Sequence, residues 1–200
     1  LEFRRVLFRS KVLVVMGFES AESACAFTPA ILETEPSAVE LIPRTLIERA
    51  RAVPAYARRL GFVEGDPAAL LVIEYTGATH SEALATAEEI GRQGRVLAEP
   101  TEQADLWAVR KAGLGLLMSV PGDSKPITFM EDVAVPVEQL SRYVQEADRI
   151  LAENGTHGEW YAHASAGCLH MRPLVNLKTE AGVKQMRTIA DADRKSTRLN

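Results

Sequence analysis

Cysteine is scarce in this sequence, and its scarcity excludes two classes of protein. Among the 200 residues only Cys25 and Cys168 are cysteines, and they form no Cys-x-x-Cys pair. Two thiols so far apart support neither a disulfide framework nor an iron–sulfur site within the chain. The sequence therefore predicts a reducing compartment, which indicates a cytoplasmic location.

Long apolar runs, phosphate-binding loops and excess positive charge are also missing. No apolar run approaches the roughly 20 residues that cross a bilayer. No glycine-rich loop follows the first apolar run, so the usual dinucleotide fingerprint is absent. The formal net charge is −4 and no basic stripe is present. Since phosphate neutralisation supplies most nucleic-acid affinity, nucleic acid is excluded as a partner.

The two ends of the chain do not resemble the rest. Residues 1–10 and 194–200 have no helical or strand period, and they can be encoded by complementary strands of one DNA segment that resembles a sequencing-library adapter. We therefore expect a non-native head, a native but incomplete domain over residues 11–193, and a non-native tail. The head carries a net +2 and the tail +3, so the native part has a net charge of −9.

The part between the ends alternates apolar strands with helices, and its 46% hydrophobic content is sufficient for the core of one domain. Strands are predicted at 11–18, 69–76, 95–98, 127–135 and within 160–173, and helices at 19–32, 45–60, 81–92, 102–118, 137–154 and 174–193. Strict alternation favours a parallel doubly wound sheet. Short, half-polar strands favour an antiparallel sheet with helices on one face. Periodicity leaves both arrangements open.

The segment from Trp160 to Pro173 carries the densest set of candidate functional residues. His163 and His170 are separated by small residues and by Gly167, and Arg172 follows two places on. A strand that turns and returns through the small residues would aim both imidazoles at one point. Neutral imidazole is a common zinc ligand, but zinc needs three or four donors, so the pair is at most half a site. Packed or solvent-facing histidines are the alternative.

Four blocks of the sequence resemble those of a known family, the FAD-linked oxidases related to glycolate oxidase, D-lactate dehydrogenase and D-2-hydroxyglutarate dehydrogenase. The blocks are residues 69–77, 107–113, 129–136 and 163–170. The blocks occur in the same order as in the family. The amino-acid sequence of the last block is most similar to that of the long bacterial branch, whose chains carry a further iron–sulfur domain. The resemblance identifies the chain as the C-terminal, substrate-binding cap domain.

The resemblance implies a fold and a reaction. The cap domain is a ferredoxin-like α+β unit with an antiparallel sheet and helices packed on one face. The activity is the oxidation of a D-2-hydroxy acid by hydride transfer to FAD. His163 and His170 match positions that bind a divalent metal, usually zinc, in metal-dependent members, and Arg110 matches the arginine that receives a substrate carboxylate. Arg172 is a candidate for a second carboxylate, as is Lys125.

The resemblance also places parts of the site outside this chain. The FAD-binding domain precedes residue 11 in such proteins, and a Glu-His-Gly block beyond residue 193 supplies a further metal ligand and the proposed base. Iron–sulfur clusters belong to a further C-terminal domain of the long branch. The substrate stays open among lactate, glycolate and 2-hydroxyglutarate types, because Met130 stands where hydroxyglutarate-specific members have a lysine. The electron acceptor, and membrane association through it, also stay open.

Two alternatives to this function, and interpretations of three further residues, remain from the sequence. The chain is otherwise a stand-alone ferredoxin-like ligand-binding or regulatory module, or a family member that works without metal. Glu131 and Asp132 are a candidate site pair, although adjacent strand residues face opposite ways. Cys168 is interpreted as a small packed residue beside the site.

Overall fold

The computed structural model describes residues 10–198 of the chain. Residues 1–9 and 199–200, most of the predicted head and the end of the predicted tail, lie outside the described residues. The remainder of both ends belongs to regular elements, since Ser10 begins the first strand and the last helix ends at Arg198. The non-native origin of the ends stays a prediction.

Eight strands and seven α-helices make up the described part of the chain. The strands are β1 (Ser10–Phe18), β2 (Ala38–Pro43), β3 (Ala69–Gly77), β4 (Arg95–Leu97), β5 (Lys125–Pro126), β6 (Met130–Ala134), β7 (Gly158–His163) and β8 (Cys168–Val175). The helices are α1 (Ala21–Leu32), α2 (Arg44–Arg51), α3 (Pro54–Ala57), α4 (His80–Ile90), α5 (Pro100–Met118), α6 (Leu140–Glu153) and α7 (Glu180–Arg198). None of these helices is long and apolar enough to cross a membrane.

All strand pairs are antiparallel, and the strands form one sheet in the order β4-β1-β3-β2-β7-β8-β5, with β6 also paired to β8. The antiparallel α+β fold is therefore confirmed, and the parallel alternative is excluded. β2 joins the two halves of the sheet, since it pairs with β3 on one side and with β7 on the other.

Helices cover both faces of the sheet, where the sequence analysis expects them on one face. Along β1, Val12 and Val14 belong to one buried cluster with residues of α1, α4, α6 and α7. Leu13 and Val15 belong to a second cluster with residues of α2 and α5. β1 and β3 are buried over most of their length because their continuous apolar runs supply side chains to both clusters.

The local signals at helix ends act as expected. Ser20 is the N-cap of α1, where its hydroxyl accepts from the backbone N–H of Ser23 at 2.9 Å. The predicted helix over residues 45–60 is interrupted before Pro54, since α2 ends at Arg51 and α3 begins at the proline.

The strand β2 was not predicted from the sequence. Its run of six residues contains a glutamate and ends in proline, which weakens the strand pattern.

Candidate functional site

The two histidines lie at the two ends of a tight connection between β7 and β8. β7 ends at His163, a short 3₁₀ turn follows, and β8 begins at Cys168. Gly167 closes the turn with φ of 67°, and a Cβ at this position would lie 2.0 Å from the carbonyl oxygen of Val135. Only glycine fits here, both for its backbone angle and for its close approach to the neighbouring chain segment.

Strand alternation places both histidines on the same face of the sheet. Across the ladder His163 lies opposite Cys168, and His170 lies opposite Tyr161. Directly opposed residues of antiparallel strands point to the same side. The two imidazole rings are 5.4 Å apart between centroids and nearly perpendicular, at 87°. The structure thus brings the histidines together, and their role as metal ligands stays a prediction.

A bulge in β6 brings two adjacent carboxylates to His170. The pairing of β6 with β8 shifts between Met130 and Val133, and Asp132 has φ of 54° within the shift. One oxygen each of Glu131 and Asp132 lies 3.2 Å from Nδ1 of His170. The expectation that adjacent strand residues face opposite ways does not hold here, because the bulge interrupts the alternation.

Arg172 extends this cluster along β8. Its Nη2 lies 2.5 Å from Oε1 of Glu131, and both side chains are largely buried. Among the described residues, Oε1 of Glu131 and Nδ1 of His170 are shielded from solvent, yet neither makes a well-directed hydrogen bond. The contacts of these two atoms are instead Arg172 for Oε1 of Glu131 and the two carboxylates of β6 for Nδ1 of His170.

Glu40 connects His163 to Arg110, and the sequence analysis misses it because β2 is not predicted. β2 pairs with β7 so that Glu40 lies opposite His163. Nδ1 of His163 is 2.8 and 2.9 Å from the two carboxylate oxygens. Arg110, from α5, forms an ion pair with the same carboxylate. Only 13% of the Glu40 side chain and 11% of the Arg110 side chain are exposed, so this pair is shielded from water.

Tyr161 fixes the position of Arg110. The guanidinium carbon lies 4.8 Å from the centre of the Tyr161 ring, a cation–π distance. The hydroxyl of Tyr161 donates to the backbone carbonyl of Arg110 at 3.2 Å. The side chain that was predicted to receive a substrate carboxylate is therefore held between an aromatic ring and Glu40.

The environment of His163 favours the neutral form of its imidazole. Burial lowers the pKa of His163, the charge of Arg110 lowers it further, and Asp132 opposes both effects. A carboxylate accepts hydrogen bonds, so the proton of the neutral ring lies on Nδ1 and is donated to Glu40. Nε2 is then free to act as an acceptor or as a metal ligand, as in metal sites where a carboxylate orients the histidine.

A small cavity of about 120 Å³ lies beside His170. It is lined by Leu114, Leu117, Glu131, Tyr161, His170 and Arg172. Its wall combines apolar side chains with a cation and an imidazole, which is the usual composition of a small-ligand site. Lys125, the other candidate for a second carboxylate, bonds through Nζ to the backbone carbonyl of Val120 at 2.5 Å.

The donor atoms at this end of the sheet fit a divalent cation. Asp132, Cys168 and His170 each offer one ligand atom, and these atoms lie within 4.8 Å of one another. His163 is outside that group, although its ring is adjacent to that of His170. Imidazole, thiolate and carboxylate are the usual zinc ligands.

Comparison with known proteins gives a family match over nearly the whole chain. The model of the C-terminal domain of FAD linked oxidases matches residues 7–197. D-2-hydroxyglutarate dehydrogenase of Pseudomonas putida is 26% identical over 90% of this chain, and that of Escherichia coli is likewise 26% identical over 90%. The corresponding enzyme of Haemophilus influenzae is 37% identical over 43% of the chain. The chain spans about a fifth of the length of the Pseudomonas and Escherichia relatives.

Two solved structures share the fold. 4-Ethylphenol oxidase from Gulosibacter chungangensis aligns with 93% of this chain and 43% of its own, with a TM-score of 0.57 and 12% identity. p-Cresol methylhydroxylase aligns with 92% of this chain and 42% of its own, with a TM-score of 0.56 and 12% identity. At this identity the likeness shows the fold alone.

Proposed function

The chain belongs to the family of FAD linked oxidase C-terminal domains, and on this premise we propose that it is the substrate- and metal-binding domain of a longer flavoprotein. The proposed reaction is the oxidation of a D-2-hydroxy acid, with hydride transfer from C2 to FAD. The observation that carries the proposal is the convergence of His163, His170 and Arg172 around one end of the sheet, beside a small cavity. The named dehydrogenase relatives match 90% of the chain, which supports a substrate of the 2-hydroxyglutarate type.

The two arginines have different positions and therefore different proposed roles. Arg172 lines the cavity and can bind the distal carboxylate of a dicarboxylic substrate, since a planar guanidinium suits bidentate contacts. Arg110 contacts Glu40 and the carbonyl oxygen of Ala162 through Nη2. A guanidinium has five N–H donors, so Arg110 keeps others for the carboxylate next to the hydroxyl.

The histidines orient and position the reacting end of the substrate. His163 and His170 hold the divalent metal in this proposal, and their Nδ1 atoms face Glu40 and the carboxylates of β6. Carboxylates in these positions fix ring orientation and raise ligand basicity. A bound divalent cation supplies Lewis acidity, which lowers the pKa of a substrate hydroxyl. The general base and the flavin contacts are assigned to other parts of the flavoprotein.

The test is His170→Ala in the intact flavoprotein that contains this chain. We expect the variant to lose bound metal and to lower turnover far more than it lowers the melting temperature. His80→Ala is the matched control, because His80 is exposed at the start of α4 and belongs to no part of the site. Metal content from elemental analysis and steady-state rates with D-2-hydroxyglutarate, D-lactate and glycolate are measured together. Retention of metal and activity in His170→Ala would refute the assignment.

A further inference from the structure

Arg172, the candidate partner of a distal carboxylate, already holds a carboxylate of this chain. Nη2 of Arg172 lies 2.5 Å from Oε1 of Glu131, and only 15% and 25% of the two side chains are exposed. The second oxygen of Glu131 lies 3.2 Å from Nδ1 of His170. All three residues line the small cavity beside His170. Glu131 thus makes, from inside the protein, the contact that the proposed function assigns to a substrate carboxylate.

The backbone around Glu131 does not fix this contact. β6 pairs with β8 on either side of Glu131 and Asp132, but within the described part of the chain these two residues have no partner in the ladder. The positive φ of Asp132 belongs to the same irregular stretch. A bulge leaves residues unpaired and re-aims their side chains. The Glu131 side chain is therefore held mainly by Arg172 and His170, and it can turn toward solvent when another group engages them.

The charges around the cavity favour an exchange of carboxylates over the addition of a second one. Among the described residues that line the cavity, Arg172 is the one arginine and Glu131 the one acid. A second carboxylate beside Arg172 would lie close to Glu131, and like charges repel strongly where water is excluded. If Glu131 leaves as a substrate carboxylate enters, Arg172 keeps one partner and its buried charge stays compensated. His170 also keeps a carboxylate, because Asp132 lies 3.2 Å from the same Nδ1.

We propose that Glu131 is an internal anion that occupies the Arg172 subsite, and that the distal carboxylate of a dicarboxylic substrate binds by displacing it. The inference rests on the proposed function and deepens it, since Glu131 then sets how strongly dicarboxylic substrates are preferred over monocarboxylic ones. A substrate without a distal carboxylate leaves the ion pair intact, so Glu131 does not oppose its binding. The cavity of about 120 Å³ is roughly four times the volume of a water molecule in the liquid, which suits a carboxylate on a short methylene chain.

The test is a titration of the 200-residue chain with glutarate, an unreactive dicarboxylate, and with pentanoate, a monocarboxylate of the same length. Calorimetry gives the binding constants, and NMR follows the side-chain N–H signal of Arg172 and the carboxyl carbon of Glu131. In the unaltered chain we expect glutarate to shift both signals and pentanoate to shift neither. In Glu131→Gln we expect glutarate to bind about tenfold more tightly, because a neutral amide bonds Arg172 less strongly than a carboxylate does. Pentanoate affinity should not change.

Two further variants separate the subsite from other effects. Glu138→Gln is the matched control, because it removes the same charge from an exposed position in the 3₁₀ turn before α6. It should leave the affinity for glutarate unchanged. Arg172→Gln, combined with Glu131→Gln, should remove the tenfold gain. Since the NMR shifts are measured in the unaltered chain, they test the exchange independently of how well any variant folds.

Three results would overturn the exchange of carboxylates. They are the absence of glutarate binding in both the unaltered chain and Glu131→Gln, an unchanged or weaker affinity for glutarate in Glu131→Gln, and an equal gain for pentanoate. None of them decides the proposed function, which has its own test in the metal content and turnover of the longer flavoprotein. Conversely, tighter glutarate binding in Glu131→Gln, beside a flavoprotein that oxidises no D-2-hydroxy acid, would support the exchange and refute the proposed function alone.

Discussion

Replacing Glu40 by glutamine tests whether the ion pair with Arg110 organises the site. The carboxylate of Glu40 contacts both Arg110 and His163, and its side chain is only 13% exposed. Removing one partner of a buried pair leaves the other charge uncompensated, which costs about 3–5 kcal/mol. Because both side chains retain slight exposure, we expect Glu40→Gln to lower the free energy of unfolding by about 3 kcal/mol, the lower end of that range.

Urea denaturation of the chain measures this effect, with Asp66→Asn as the matched control. Asp66 pairs with Arg44 at 3.1 Å, but the two side chains are 67% and 40% exposed. An exposed pair contributes at most about 1 kcal/mol, so the control should change little. In a double-mutant cycle, Arg110→Met should cost less in the Glu40→Gln background than alone. Equal small losses in Glu40→Gln and Asp66→Asn, with additive effects in the cycle, would refute the reasoning.

Two further predictions concern the turn and the imidazole. Gly167→Ala should destabilise the chain by clearly more than Gly155→Ala. Both glycines have φ of 67°, which costs a residue with a Cβ about 1–2 kcal/mol, but only the Cβ at 167 meets a carbonyl oxygen at 2.0 Å. Comparable midpoints in urea for the two variants would contradict this. The ring of His163 should titrate below its ordinary pKa of about 6.5, and its pKa should rise in Arg110→Gln, because the Arg110 charge lowers it. The stability that the lowered pKa of His163 contributes is present above the pKa of the unfolded state and is lost as pH falls through the pKa of the folded state. An NMR titration in which the pKa of His163 falls when Arg110 is replaced would refute the assignment.

Continuous apolar runs and helix signals made most of the fold predictable. β1 and β3 are buried over most of their length, and the predicted cap at Ser20 is present. The apolar runs and the helix cap depend only on residues that are close together in the sequence, so they can be predicted from it. β2 was missed because its strand character depends on pairing with β3 and β7, partners that lie far along the chain.

The site was predictable only where its residues share one strand or one motif. His163, His170 and Arg172 were found together, and the structure places them on one hairpin. No local sequence pattern marked Glu40 as a site residue, since a lone glutamate in a short apolar segment resembles a solvent-exposed residue. The convergence of Glu131 and Asp132 on His170 depends on a bulge, which the sequence does not mark with glycine or proline.

The surroundings of Cys168 were not predictable from the sequence. A single cysteine among small residues was interpreted as packing, and by itself it carries no chemistry. In the folded chain it lies with Asp132 and His170 in a group of converging donors. That relation depends on the alignment of β6 with β8, which periodicity within either strand does not determine.

The most direct test of the proposed function is anaerobic reduction of the flavin in the longer flavoprotein that is proposed to contain this chain. On mixing with a D-2-hydroxy acid, the account predicts bleaching of the oxidised flavin absorption, none with the L enantiomer, and much slower bleaching in His170→Ala. A flavin that stays oxidised with D-2-hydroxyglutarate, D-lactate and glycolate alike, or that is reduced at an unchanged rate in His170→Ala, would contradict the account.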